Sequence, residues 1–113
     1  MDLKLAGRVL YVTGGSHGIG RATVDALLRE GALVATCARD LPSQQEPLRL
    51  RLVLQGCDVR DASAMQGALS EVLGRFGRLD GVVANAGYGT SGRVLETAAG
   101  EWMAQFELKL FGV

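Results

Sequence analysis

The feature that most constrains this chain is an apolar run that breaks into a glycine-rich turn and continues as an amphipathic helix. It reads Val9-Leu10-Tyr11-Val12-Thr13-Gly14-Gly15-Ser16-His17-Gly18-Ile19-Gly20. Val9 to Val12 show no polar alternation, which predicts a strand buried on both faces. Gly14 and Gly15 permit a sharp turn. Gly18 leaves room for a ligand at the backbone, and Gly20 lets the helix pack close to the strand. The helix that follows aims free N–H groups and the positive end of its dipole at the turn. That is an anion site suited to a pyrophosphate.

The chain has 113 residues, enough for one domain with one core. Hydrophobic residues make up 48%, and 16 glycines suit a compact α/β domain rich in tight turns. Lys plus Arg and Asp plus Glu both number 12, so nothing points to nucleic acid or an acidic membrane surface. The apolar runs are too short to span a bilayer, and Met-Asp-Leu-Lys-Leu lacks the apolar core of a signal peptide. A cytoplasmic protein with no membrane partner is the expectation. Cys37 and Cys57 are too few for a disulfide scaffold and lack metal-ligand spacing, so no metal site is expected. They fall near the C-terminal ends of predicted strands and could lie close together if those strands are neighbours. They read as small reduced fillers.

Along the chain, Ile19 to Glu30 predict a helix with Ile19, Ala22, Thr23, Ala26 and Leu27 facing inward, stopped by Gly31. Leu33 to Ala38 predict a second strand. Strand, helix and strand within about thirty residues imply a right-handed crossover and a parallel sheet. Pro42 and Pro47 then argue for a short, loop-like connection. Leu50 to Gly56 predict a third strand. Asp61 reads as an N-cap for a helix carrying Met65, Ala68, Leu69, Val72, Leu73 and Phe76 at helical spacing, ended by Gly77. Gly81 to Ala84 predict a fourth strand, closed by Asn85-Ala86-Gly87. Tyr88 to Leu95 read as a loop. A last helix, capped by Thr97 and containing Glu101 to Phe111, puts Trp102, Phe106, Leu110 and Val113 on one face.

The turn Thr13-Gly14-x3-Gly18-x-Gly20, the pair Asp58-Val59 after the third strand and Asn85-Ala86-Gly87 after the fourth together resemble the short-chain dehydrogenase/reductase family. The resemblance covers nearly the whole chain. It implies a Rossmann-like, doubly wound parallel sheet, here of about four strands, over residues 1–113. It implies NAD(P) bound by Thr13, Gly14, Ser16, His17, Gly18, Ile19, Gly20, Arg39, Asp58, Val59, Asn85, Ala86 and Gly87. Asp58 would accept from the adenine amine with Val59 packed nearby, or would help to cap the next helix. Asn85 would brace the sheet. His17 is either a solvent-facing loop residue or an added donor. Where such folds place a ribose-binding carboxylate, this chain has Ala38 followed by Arg39. A guanidinium binds a 2′-phosphate bidentately, which favours NADP over NAD. Asp40 offers a carboxylate to the ribose if the loop is rotated.

The family moves its substrate proton with a Tyr-x-x-x-Lys pair and a Ser. Tyr88 is followed four residues on by Gly92, so it reads as a loop aromatic, and no catalytic residue is expected in this chain. Lys109 stands where the family has an Asn that helps hold a proton-relay water, and a protonated lysine cannot accept a hydrogen bond. The expectation is therefore the cofactor-binding half of an oxidoreductase acting on a small alcohol or carbonyl, in a homo-oligomer and inactive alone. The alternative is a non-catalytic dinucleotide-binding module that associates with a partner. The fourth strand would be an unpaired apolar edge, which invites association.

Overall fold

The computed structural model describes residues 1–38, 51–87 and 92–111. Four parallel strands are described: β1 (Val9–Thr13), β2 (Leu33–Ala38), β3 (Leu52–Gly56) and β4 (Gly81–Val83), in the order β3-β2-β1-β4. Helix α1 (Gly18–Arg29) joins β1 to β2, and α2 (Ala62–Phe76) joins β3 to β4. A 3-10 turn (Val94–Glu96), α3 (Ala99–Phe106) and a π-helical turn (Glu107–Phe111) follow. This is the Rossmann-like architecture implied by the sequence. The predicted third strand begins at Leu52, while Leu50 and the proline-bearing connection lie outside the described residues.

Alternation along β1 divides the interior in two. Val9 and Tyr11 face α2 and pack with Ala35, Cys37, Val53 and Val72. Val12 faces α1 and packs with Val24, Leu28, Ala32, Val34 and Leu52. The central strand therefore carries apolar side chains on both faces, as its uninterrupted pattern requires.

The ends of α2 follow local chemistry. The Asp61 carboxylate accepts from the Ala64 N–H at 3.0 Å, and Gly77 ends the helix at φ 75°. Gly31, at φ 83°, plays the corresponding part after α1. The buried face of α1 differs from the predicted stripe. Gly20, Val24 and Leu28 are buried, whereas Ile19 is 79% exposed and Ala22 also faces outward. The reason is that the helix seats on its glycine: lacking a side chain, Gly20 marks the line of closest approach, and Val24 and Leu28 continue that line.

The third helix also differs. Thr97 does not cap it, since its hydroxyl donates to the Arg93 carbonyl within the preceding turn, and Ala98 occupies the cap position. Trp102, Phe106 and Leu110 lie on an exposed face, while Leu108 is buried.

Two polar groups lock the frame. Buried Gln55 accepts from the Tyr11 hydroxyl at 2.7 Å and donates to the Ala68 carbonyl at 2.9 Å, joining β3 to β1 and α2. Burial drives the Tyr11 phenol above its ordinary value, so it stays a neutral donor. At the other end of β1, Asp80 accepts from the Val9 N–H at 2.8 Å and its own N–H donates to the Val9 carbonyl at 2.8 Å. Its carboxylate also pairs with Arg78 and, at 3.5 Å, with Arg8. The hydrogen bond from Arg78 and then that from Val9 hold the Asp80 carboxyl below its ordinary value.

A group with a lowered folded value stabilises the fold above its unfolded value, about 3.9 for Asp. That contribution disappears as pH falls through the folded value. Asp80→Ala should therefore weaken the fold at neutral pH, with the deficit shrinking in strong acid. Urea unfolding of both chains across an acid pH series checks this, and a deficit independent of pH would contradict the ionic role.

Candidate functional site

The order β3-β2-β1-β4 places a topological switch point between β1 and β4, because the connections run to opposite sides from there. Open parallel sheets bind ligands beyond the carboxyl ends of their strands at such a point. A cleft of about 510 Å³ lies there. That volume is within the range of small-molecule sites.

Its floor is the glycine turn. Gly14, at φ 71°, donates its N–H to the Cys37 carbonyl at 2.8 Å. A Cβ there would come within 2.8 Å of the Ala86 backbone. Gly15 donates to Thr36 Oγ1 at 3.0 Å, and the same hydroxyl donates to the Val12 carbonyl at 2.6 Å. Thr36 is thus a buried strap from β2 across the turn. On the other side, Thr13 Oγ1 accepts from the N–H groups of Asn85 and Ala86, both at 3.0 Å. The Asn85 amide donates to the carbonyls of Thr13 and Gly14, both at 3.2 Å. A Cβ on Gly20 would lie 2.2 Å from the Gly14 oxygen and 2.4 Å from Asn85 Nδ2. The turn is fixed by neighbours on both sides, and its shape depends on absent side chains.

The walls come from the carboxyl ends of all four strands. Gly14, Ser16, His17, Gly18, Ile19 and Gly20 line the cleft from the turn, Asp58 and Val59 from the end of β3, and Asn85, Ala86 and Gly87 from the end of β4. Thr13, by contrast, is buried and does not line the cleft. Arg39 and Asp40 lie outside the described residues, as does Tyr88. Ala38, at the end of β2, lines the cleft and brings no carboxylate to it. The π-helical turn adds Leu108 and Lys109.

His17 stands just ahead of α1 and is exposed, with Ser16 Oγ 2.9 Å from its Nδ1. Among the described residues no side chain caps the start of α1, which borders the cleft. Asp58 does not cap α2. Its carboxylate accepts from the Arg60 N–H at 2.9 Å and pairs with the Arg60 guanidinium at 2.6 Å.

The residues fit a dinucleotide: a backbone cradle beside a helix start, a carboxylate at one end and small residues at the other. Thr36 was not singled out from the sequence. The signal was present, since a threonine inside an otherwise apolar buried strand needs a partner for its hydroxyl.

This fold and site define a class, and the chain belongs to the short chain dehydrogenase family, whose sequence model matches residues 8–113. Family members are NAD(P)-binding oxidoreductases. The chain is 37% identical over 113 residues to the L-fucose dehydrogenase of Mus musculus, covering 96% of this chain and 41% of that protein. It is 42% identical over 95 residues to the 15-hydroxyprostaglandin dehydrogenase [NAD(+)] of Homo sapiens, covering 75% and 35% respectively. Among solved structures, the ligand-free aldohexose dehydrogenase of Thermoplasma acidophilum superposes with a TM-score of 0.88 at 27% identity, over 99% of this chain and 42% of that one. The chain therefore spans about two fifths of the length of these relatives. No described helix is long and apolar enough to cross a membrane.

Two substitutions test the cradle. Gly20→Ala should destabilise the fold by about 1–3 kcal/mol, because backbone and a hydrogen-bonded amide must move. Thr36→Val should cost about 1–3 kcal/mol by leaving the Gly15 N–H unpaired. Gly67→Ala, with nothing within 4 Å, should be neutral or stabilising in the same denaturation assay.

Proposed function

We propose that this chain is the cofactor-binding portion of an NADP-dependent oxidoreductase that interconverts a small alcohol and a carbonyl by hydride transfer. The observation that carries this reading is the cleft at the switch point. There the glycine turn, Asp58-Val59 and Asn85-Ala86-Gly87 meet at the carboxyl ends of β1, β3 and β4. The start of α1 and the turn backbone would hold the diphosphate, Asp58 and Val59 the adenine, and Ala86 and Gly87 would leave space for the nicotinamide ribose. Thr13 acts beneath the site, by fixing Asn85 and Ala86. The cofactor supplies the hydride chemistry, and the protein supplies position and electrostatics.

The preference for NADP rests on sequence at the end of β2. Ala38 contributes no carboxylate to repel a 2′-phosphate, and Arg39 next to it offers a guanidinium. The human relative named with NAD(+) is the reason to test both cofactors. Calorimetric titration should show saturable binding that favours NADPH over NADH. Arg39→Asp should remove most of the NADPH affinity and leave NADH binding nearly unchanged. Equal loss for both cofactors would refute the 2′-phosphate role.

Proton transfer is the part this chain does not supply. Tyr11 is buried with its hydroxyl committed to Gln55, and the residue four positions on is Gly15. Tyr88 is followed at the same spacing by Gly92. Lys109, at the cleft, stands where the resembled family has an asparagine. The non-catalytic dinucleotide-binding module is accordingly the second reading. The purified 113-residue chain should show no hydride transfer with any alcohol or ketone, followed by NADPH absorbance. Turnover free of host enzymes would reveal a proton donor among its own residues.

A further inference from the structure

The cofactor reading leaves both cysteines without a task, yet the fold brings them together. Strands β2 and β3 are neighbours in parallel register, with Cys37 opposite Gln55. Cys57 lies two residues beyond Gln55 and so projects from the same face of the sheet. Its N–H donates to the Ala38 carbonyl at 3.2 Å, which holds it beside the end of β2. Both thiols are free and both line the cleft. Cys37 is buried and Cys57 half-buried, with Cys57 Sγ 3.2 Å from Met65 Sδ. Burial raises the Cys57 thiol above its ordinary value, and the neighbouring Cys37 acts in the same direction. Two thiols in the cleft wall and a neighbouring thioether thus form a sulfur cluster, immediately before Asp58.

We propose that Cys37 and Cys57 are a reversible dithiol pair whose closure to a disulfide moves the Asp58 end of the cleft and weakens cofactor binding. The effect on the cofactor rests on the function proposed above; the covalent step does not. Parallel strands lie about 4.8 Å apart and two residues advance about 6.6 Å, which puts the two Cα atoms about 8 Å apart. That is beyond the usual disulfide span of about 4.4–6.8 Å. Closure therefore requires the Cys57 backbone to move toward β2, and Cys57 lies past the last residue of its strand, where the chain can shift. The bond so formed is strained and easily reduced, as suits a switch rather than a structural bridge.

With glutathione disulfide as oxidant, the Cys57 thiolate attacks one sulfur, forming a mixed disulfide and releasing one glutathione thiolate. The Cys37 thiolate then attacks the Cys57 sulfur and releases the second. The two cysteines lose two protons and two electrons, and one glutathione disulfide becomes two glutathiones. Because the thiolate is the nucleophile, the raised Cys57 value makes the reaction slow at neutral pH and faster as pH rises.

The test treats the whole 113-residue chain with glutathione disulfide, quenches with acid and measures intact mass without reduction. The expected product has lost two hydrogens, carries no glutathione and returns to the starting mass with dithiothreitol. NADH affinity should fall about tenfold or more on oxidation and recover on reduction, a change readily measured by titration. Cys37→Ala should stop at a glutathione adduct on Cys57, and Cys57→Ser should form neither product. A wild-type chain that stays unmodified or only collects glutathione would overturn the pair. An internal disulfide that leaves NADH affinity unchanged would overturn its coupling to the cleft. If the reduced chain binds no dinucleotide, the failure lies in the proposed function, and the mass measurement still decides whether the pair forms.

Discussion

Two threonine hydroxyls hold the site together. A turn rich in glycine has many backbone conformations open to it, and fixing one residue costs about 1–2 kcal/mol in entropy. Here Thr36 spans Gly15 and Val12 from one side, while Thr13 gathers the N–H groups of Asn85 and Ala86 on the other. Asn85 returns two hydrogen bonds to the carbonyls of Thr13 and Gly14. The ends of β1, β2 and β4 are joined through this one turn. The cleft above it is formed by the protein itself, so a ligand need not organise it.

Much of this frame was legible in the sequence because it depends on local patterns. Unbroken apolar runs gave β1 and β2, helical spacing gave α2, and Asp61, Gly31 and Gly77 marked helix ends where the structure has them. The turn and the two short motifs pointed to the region that the cleft occupies. What could not be read depends on distant partners. Thr36, Gln55 and Asp80 are polar residues whose roles are set by groups up to 71 residues away along the chain. The buried stripe of α1 was displaced because apolar periodicity gives no weight to glycine, whereas packing is closest there. Arg39, on which cofactor preference turns, lies outside the described residues.

The sheet also shows how one fold serves stability and chemistry at opposite ends. At the amino ends of the strands, Asp80 and its two arginines tie the entry of β4 to the start of β1. At the carboxyl ends, the polar groups that fix the turn leave backbone and small side chains facing the cleft. The floor of the cleft is built largely from main chain, with the Asp58–Arg60 pair and Lys109 at its walls. A main-chain floor depends little on the side chains around it.

The outward face of α3 has a practical consequence. Trp102 is the only tryptophan in the chain and is 43% exposed, in line with the exposed Phe106 and Leu110. The helix that bears it leads within a turn to Lys109 at the cleft. An indole in water emits at longer wavelength than one covered by apolar neighbours. The intrinsic fluorescence of this chain is therefore a single-site gauge, blue-shifting when any surface, its own kind or another, comes to rest on that helix.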